Sequence, residues 1–168
     1  PPLSETAGIV VLGLGGGALP AFLQTKLPRS QVTAVDIDAK LVEIATNLFK
    51  MPKEVKTEVC DGIAYVEKMG EKGETADYLF VDIDCKDLKG VASFPPRPFL
   101  EKVFLQKVKK VVGETGVAVY NVCAHPESMY VVFEKQFKGV FKNVWMEKSE
   151  DNNRVLIATD RPILQGED

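Results

Sequence analysis

The 168-residue sequence is poor in the residues that most often carry metal or redox chemistry, with three cysteines, one histidine and one tryptophan. Cys60, Cys85 and Cys123 are far apart and fall in no CxxC spacing. That argues against a disulfide framework or a cysteine-based metal site, and for reduced, mostly buried thiols in a cytoplasmic protein. His125 stands directly before Pro126, where it reads as a helix-start or surface residue rather than a base or ligand. An excess of one charge is missing too. At a net charge of −3, no overall field draws the chain to nucleic acid or to an anionic membrane, so neither is an expected partner. No signal peptide is visible. The apolar stretch from Ala7 to Leu23 is rich in glycine, contains Pro20 and falls short of the ~20 apolar residues a membrane span needs. Repeats and low-complexity tracts are also lacking.

What is present is an ordinary globular composition, 45% hydrophobic and 27% charged. Residues 1–168 fit one domain with a core that needs no disulfide or structural metal. The chain opens "PPLSE" without methionine, which reads as an excised or processed domain of a longer protein.

Apolar, β-branched runs predict strands over Gly8–Leu12, Gln31–Val35, Val55–Val59, Tyr78–Ile83 and Gly116–Val122. Ala18–Leu27 reads as a helix that tolerates Pro20 in its first turn. Asp38 reads as an N-cap, followed by a helix with Leu41, Ile44, Ala45, Leu48 and Phe49 on one face. Asp61 caps a short helix carrying Ile63, Val66 and Met69. Phe99–Val112 reads as an amphipathic helix with Val103, Phe104, Val108 and Val111 inward, ended by Gly113 or Gly116. Pro126 opens another, with Met129, Val132, Phe133 and Phe137 inward. Val140–Met146 and Arg154–Thr159 are joined by a polar segment too short for a helix, which predicts a hairpin. Val91–Arg97 is the one long irregular segment. Alternating β and α elements predict an α/β fold: a mostly parallel, Rossmann-like sheet with helices on both faces and an antiparallel last strand.

In such sheets ligands bind beyond the carboxyl ends of the strands, where strand order reverses. There the sequence puts Gly13-Leu14-Gly15-Gly16-Gly17 after strand one, Asp36 after strand two and Asp61-Gly62 after strand three. Asp82 and Asp84 follow strand four, and Asn121 lies at the end of strand five. Unpaired buried carboxylates are costly, so acids at three consecutive strand ends suggest a ligand, although each singly could be a helix cap. The glycine turn presents amide donors at a helix N-terminus. Gly13, Gly15 and Ala18 also satisfy the dinucleotide pattern G-x-G-x-x-G/A, and Asp36 suits a ribose diol. NAD and an adenosyl cofactor both fit this much.

The full set resembles the class I S-adenosylmethionine-dependent methyltransferases over nearly the whole chain. "VLGLGGGALP", "AVDID", "CDGIAYV" and "LFVDIDCKD" resemble their spermidine synthase-like branch. The stretches "FVDIDCKD", "FLEKVFLQKVKKVV" and "GVAVYNV" are similar to the C-terminal domain of the methyltransferase-like protein 13 family, which modifies elongation factor 1-alpha. The resemblance implies a seven-stranded sheet, S-adenosyl-L-methionine as cofactor, S-adenosylhomocysteine as product and a protein amine as acceptor. It implies a cofactor set of Gly13, Leu14, Gly15, Gly17, Asp36, Ile37, Asp61, Gly62 and Asp82, with Asp36 on ribose and Asp61 on adenine. A homodimer is the further expectation from spermidine synthase relatives. Two departures stand out. Asp36 replaces the usual glutamate, and Asp82-Ile83-Asp84-Cys85-Lys86-Asp87 replaces the D-S-[ST]-D-P run of polyamine synthases.

Methyl transfer to an amine is an in-line displacement in which the protein supplies alignment and electrostatics. The candidate catalytic residues are Asp82, to orient the neutral amine and stabilise its developing charge, Asn121, to hold the amine or an adjacent carbonyl, and Asp84, which could equally cap the loop. Phe94, Pro95, Pro96 and Phe99 could wall the substrate entrance or simply pack the loop on the next helix. An aminopropyltransferase and a non-catalytic adenosyl-binding module are the rival readings. An NAD-dependent oxidoreductase is disfavoured by the single histidine and the lack of a second catalytic domain.

Overall fold

A computed structural model describes residues 6–84, 92–149 and 153–162. Cys85, Lys86, Asp87 and Val91 lie outside the described residues. The strands are β1 (Gly8–Leu12), β2 (Gln31–Asp36), β3 (Lys56–Val59), β4 (Tyr78–Val81), β5 (Ala92–Phe94), β6 (Val117–Ala124), β7 (Asn143–Lys148) and β8 (Arg154–Thr159). The helices are α1 (Ala18–Lys26), α2 (Ala39–Asn47), α3 (Gly62–Lys72), α4 (Lys102–Val112) and α5 (Met129–Lys138), with a 3-10 turn at Arg97–Leu100. The main sheet runs β3-β2-β1-β4-β6-β8-β7, with β5 paired to β6. The first five of these are parallel; β8 is antiparallel to both β6 and β7. The expected seven-strand sheet and terminal hairpin are therefore present.

The order places the site. β1, β2 and β3 step outward in one direction, and β4 returns to the opposite side of β1. The reversal lies between β1 and β4, so the ends of those two strands flank the crevice in which such sheets bind ligands.

Two cores hold the sheet. On one face Ile9, Val11, Val32 and Ala34 pack against Leu23 of α1, Leu27 just beyond its end and Ala45 of α2. On the other, Leu12, Val35, Leu79, Val81 and Tyr120 pack against Val66 of α3, Phe104, Leu105 and Val108 of α4, and Phe137 of α5. Each fully buried aliphatic side chain is worth roughly 1.5–3 kcal/mol of transfer free energy. The central strands β1 and β4 are apolar almost throughout because both of their faces are covered.

Several expected inward residues turn out to face solvent. On α2 only Ala45 is buried, while Leu48 is 70% and Phe49 62% exposed. The reason is position: α2 lies over the sheet edge, where all four residues of β3 are exposed, so it has little surface to cover. Val103 and Val132 are exposed as well, because Phe104 with Leu105 and Tyr130 with Phe133 take the inward arcs of α4 and α5. The fourth strand stops at Val81 rather than Ile83, and α5 begins at Met129 rather than Pro126. His125 is exposed, as expected, and Cys60 and Cys123 are free but half-buried rather than buried. The segment expected to be irregular contains β5, which pairs antiparallel with Cys123 and Ala124.

Candidate active site

The strands continue bonding up to the crevice. Gly13 N donates to Val35 O at 2.8 Å, Asp82 N to Leu12 O at 2.9 Å and Cys60 N to Asp36 O at 2.9 Å. Above this rim the four glycines have different duties. Gly13 sits at φ +92°, and a Cβ there would lie 2.3 Å from the carbonyl oxygen of Asp82. Its glycine is required by the neighbouring strand. A Cβ on Gly17 would lie 3.1 Å from Met51 Sδ and 3.2 Å from Ala45 Cβ, and one on Gly16 3.6 Å from the Phe49 ring. At Gly15 nothing lies within 4 Å, and φ is +51°. Gly15 is thus the position in the turn where open space adjoins the backbone. Leu14 between them buries its side chain to 4% exposure, so it faces the site with backbone only.

Asp36 is half-buried at the end of β2. Its Oδ2 accepts from Leu14 N at 2.8 Å and its Oδ1 from Asp38 N at 2.9 Å. Beside it Ile37 is 71% exposed, an apolar side chain held out over the rim. Asp38 caps α2 through Lys40 N, as expected. Asp61 is also a cap: its Oδ1 accepts from Ile63 N at 2.9 Å and Ala64 N at 3.0 Å, at the start of α3. Gly62 is pressed by Phe99, whose ring would lie 3.2 Å from a Cβ there. Phe99 itself is buried and meets Phe104 edge-on at 5.1 Å. Of its two readings, packing of the loop on the following helix is the one realised.

Asp82 is exposed, as Asp61 is, but differs from Asp36 and Asp61 in its partner: its Oδ1 accepts from the side-chain amide of Asn121, Nδ2 at 2.9 Å, across 39 residues of chain. Adjacency of β4 and β6 brings the two together. Asp84 is exposed two residues further on. The structure therefore joins Asp82 to Asn121, Leu14 to Asp36, and Gly13 to the Asp82 backbone. Asp61 stands two strands from β1, at the outer end of the crevice.

One group near the site carries no signal in the sequence. Arg154 Nη2 meets Glu127 at 2.8 Å, and its guanidinium lies 4.2 Å over the Tyr130 ring. The Tyr130 hydroxyl in turn accepts from Ala124 N at 3.1 Å. Together they fix the chain leaving β6 just beyond Asn121. These partners come from different elements, so no local spacing marks them.

With this geometry in place, comparison with known proteins is decisive about ancestry. A model of the spermine/spermidine synthase domain matches residues 3–147. The chain belongs to the spermine/spermidine synthase domain family. Within it, the chain is 32% identical over 160 residues to the human "eEF1A lysine and N-terminal methyltransferase", covering 92% of this chain and 23% of that protein. It is 28% identical to a polyamine aminopropyltransferase of Vibrio vulnificus, covering 89% of this chain and 49% of that one. The chain thus spans about a quarter of the methyltransferase relatives it matches. Among solved structures, human methyltransferase-like protein 13 in complex with SAH aligns with a TM-score of 0.85 at 29% identity, over 92% of this chain and 72% of that one. A probable spermidine synthase of Corynebacterium glutamicum aligns at 0.79 and 20% identity, covering 95% of this chain and 58% of that one, a likeness of fold. Among the described residues no helix is long and apolar enough to cross a membrane.

Proposed function

We propose that this chain binds S-adenosylmethionine and directs its methyl group to a protein amine, an N-terminal amine or a lysine, in the cytoplasm. Elongation factor 1-alpha is the acceptor to test first, since the named relatives act on it. The observation that carries the reading is the Asp82–Asn121 pair: an exposed carboxylate at the strand-order reversal, set by a side-chain amide instead of capping a helix.

The residues fit an adenosyl cofactor. Gly15 leaves open space beside the backbone. Asp36 keeps one lone pair on each oxygen for the ribose hydroxyls, because each oxygen has two and one backbone bond occupies one. Asp61 accepts its capping bonds through Oδ1, and its Oδ2 serves the adenine amino group. Ile37 offers an apolar surface to the base. When bound, the cofactor supplies a methyl group made electrophilic by the adjacent sulfonium.

Asn121 fixes Oδ1 of Asp82 and leaves Oδ2 to accept an N–H of the neutral acceptor amine. That contact aims the nitrogen lone pair along the displacement axis, a positional effect. As positive charge grows on nitrogen, the fixed carboxylate stabilises it without reorganising. The nitrogen's extra proton leaves to water, which reaches the exposed Asp82.

Aminopropyl transfer is the second reading, supported by the family model and the Vibrio relative. The Asp82-Ile83-Asp84 run departs from the polyamine synthase pattern and speaks against it. Calorimetric titration of S-adenosylhomocysteine, methylthioadenosine and NAD separates the cases. The methyltransferase reading expects micromolar binding of S-adenosylhomocysteine with NAD silent; a preference for methylthioadenosine would favour aminopropyl transfer. In a labelled-methyl assay on an N-terminal peptide of the elongation factor, Asp82→Ala should bind S-adenosylhomocysteine normally. Its turnover should fall ~10–100-fold, the kinetic equivalent of losing a charge-assisted hydrogen bond of about 1.5–3 kcal/mol. Undiminished turnover would remove Asp82 from the mechanism.

A further inference from the structure

The carboxylate of Asp36 is already occupied before any ligand is considered. Oδ2 holds the amide of Leu14, 22 residues earlier in the chain, and Oδ1 holds the amide of Asp38. Leu14 lies between Gly13 at φ +92° and Gly15 at φ +51°, two backbone states that an unrestrained glycine leaves readily. Its side chain is anchored in the core below and its N–H is anchored by Asp36 at the end of the neighbouring strand β2. The turn is otherwise closed by two backbone bonds, Gly13 N to Val35 O and Gly17 N to Leu14 O. The first holds Gly13 to β2 and the second holds the Leu14 carbonyl to Gly17, while the Asp36 contact holds the Leu14 amide.

Resting on the adenosyl reading of the site, we propose that Asp36 is a positioning residue that sets the glycine turn in its ligand-ready shape, in addition to accepting from the ribose. A carboxylate–amide bond is charge-assisted, and a pocket ordered in advance spends less of its binding free energy on ordering. A ribose acceptor acts only through the hydroxyls. A clamp on the turn acts on every ligand that uses the turn, including one with no hydroxyls. The shorter side chain suits this duty: aspartate keeps its carboxylate close to the strand end, level with the Leu14 amide.

The test is a cycle between residue and ligand. S-adenosylhomocysteine and its 2′,3′-dideoxy analogue are titrated into wild type, Asp36→Ala and Asp36→Asn, and amide exchange at Leu14 and Gly15 is followed in the unliganded proteins. The dideoxy analogue should bind Asp36→Ala about fivefold or more weakly than wild type, with Asp36→Asn between them because its side-chain oxygen can hold only one amide well. Leu14 should exchange about tenfold faster or more in Asp36→Ala while amides of α4 are unchanged, which also reports that the variant is folded. Equal affinity of wild type and Asp36→Ala for the dideoxy analogue, with unaltered Leu14 exchange, would overturn the clamp and leave a ribose contact alone. If wild type binds neither ligand, the adenosyl reading fails, and the exchange rates of the unliganded proteins still decide whether Asp36 holds the turn.

Discussion

Alanine at Gly13 and alanine at Gly15 should produce opposite phenotypes, though the residues are two apart in one turn. At Gly13 the new Cβ would meet the Asp82 carbonyl oxygen at 2.3 Å and its carbon at 2.8 Å. Both are backbone atoms of the adjacent strand end, so no rotamer change relieves the contact. At φ +92° the residue also lies outside the left-handed well that alanine tolerates best. Backbone strain of about 1–3 kcal/mol and overpacking of a similar size sum to roughly 2–6 kcal/mol. Against a total stability of about 5–15 kcal/mol, and a urea dependence near 2 kcal/mol per molar, the unfolding midpoint should fall by ~1–3 M. At Gly15, φ is +51° and nothing lies within 4 Å. Alanine there carries only the left-handed penalty of about 1–2 kcal/mol, but its methyl occupies the space left for ligand. Urea unfolding and calorimetric titration of S-adenosylhomocysteine on both variants read the two effects separately. Gly15→Ala should keep most of its stability and lose at least about tenfold in affinity, roughly 1.4 kcal/mol. A Gly13→Ala protein that unfolds within a few tenths of a molar of wild type would refute the claim that Asp82's backbone dictates this glycine.

Three further outcomes follow from the packing. Asp160, with its side chain 6% exposed, accepts from Lys142 N at 2.9 Å and pairs with Lys109 Nζ at 2.7 Å. Burial alone would raise its pKa, but the Lys109 bond and the Lys142 amide and charge outweigh it and hold it below the ordinary value. A depressed folded-state pKa gives stability that is present above the unfolded carboxyl pKa near 4 and is lost as pH falls through the folded value. Asp160→Ala should therefore cost about 1.5–3 kcal/mol at neutral pH and flatten stability below about pH 4, as measured by denaturant melts across pH. Tyr120 is fully buried with its hydroxyl unpartnered among the described residues, and burial pushes its pKa up. Tyr120→Phe should thus leave stability unchanged or raise it by about 1 kcal/mol, and a clear loss would show that the hydroxyl is satisfied after all. Val103 is 64% exposed, so Val103→Lys should shift stability by no more than about 0.5 kcal/mol; a core-sized loss would restore the inward reading.

The parallel sheet was legible because β1 and β4 are buried on both faces and so read as unbroken apolar runs. Alternation of strands and helices pointed to the parallel sheet, whereas the strand order, with its reversal between β1 and β4, emerges only in the structure. What failed was the assumption that every apolar stripe on a helix finds a core. Phe49 and Leu48 keep the period of an inward face, yet α2 ends at Asn47 over an exposed edge strand, and a one-dimensional pattern does not contain the depth of what lies beneath it. β5 was illegible for a related reason. Three residues are too few for a period, and their pairing with Cys123 and Ala124 depends on how far β6 extends beyond the sheet.

The acids show where sequence reasoning about a site stops. Asp36, Asp61 and Asp82 are one residue type at equivalent ends of consecutive strands, and nothing in their spacing separates them. Geometry does. Asp61 is followed directly by a helix, so its Oδ1 turns to the first free amides, Ile63 and Ala64. Asp36 is followed by a short turn and faces the glycine loop across one strand spacing, so its two oxygens divide between Leu14 and Asp38. Asp82 ends the strand beside the one that carries Asn121, and it meets a side-chain amide instead of backbone. Asp61 and Asp82 are both exposed and both accept through Oδ1, but Asp61 holds two backbone amides of its own helix and Asp82 a single side-chain amide from another strand. That difference in partner, invisible in the sequence, is why we propose Asp82, rather than Asp36 or Asp61, as the residue that orients the acceptor amine.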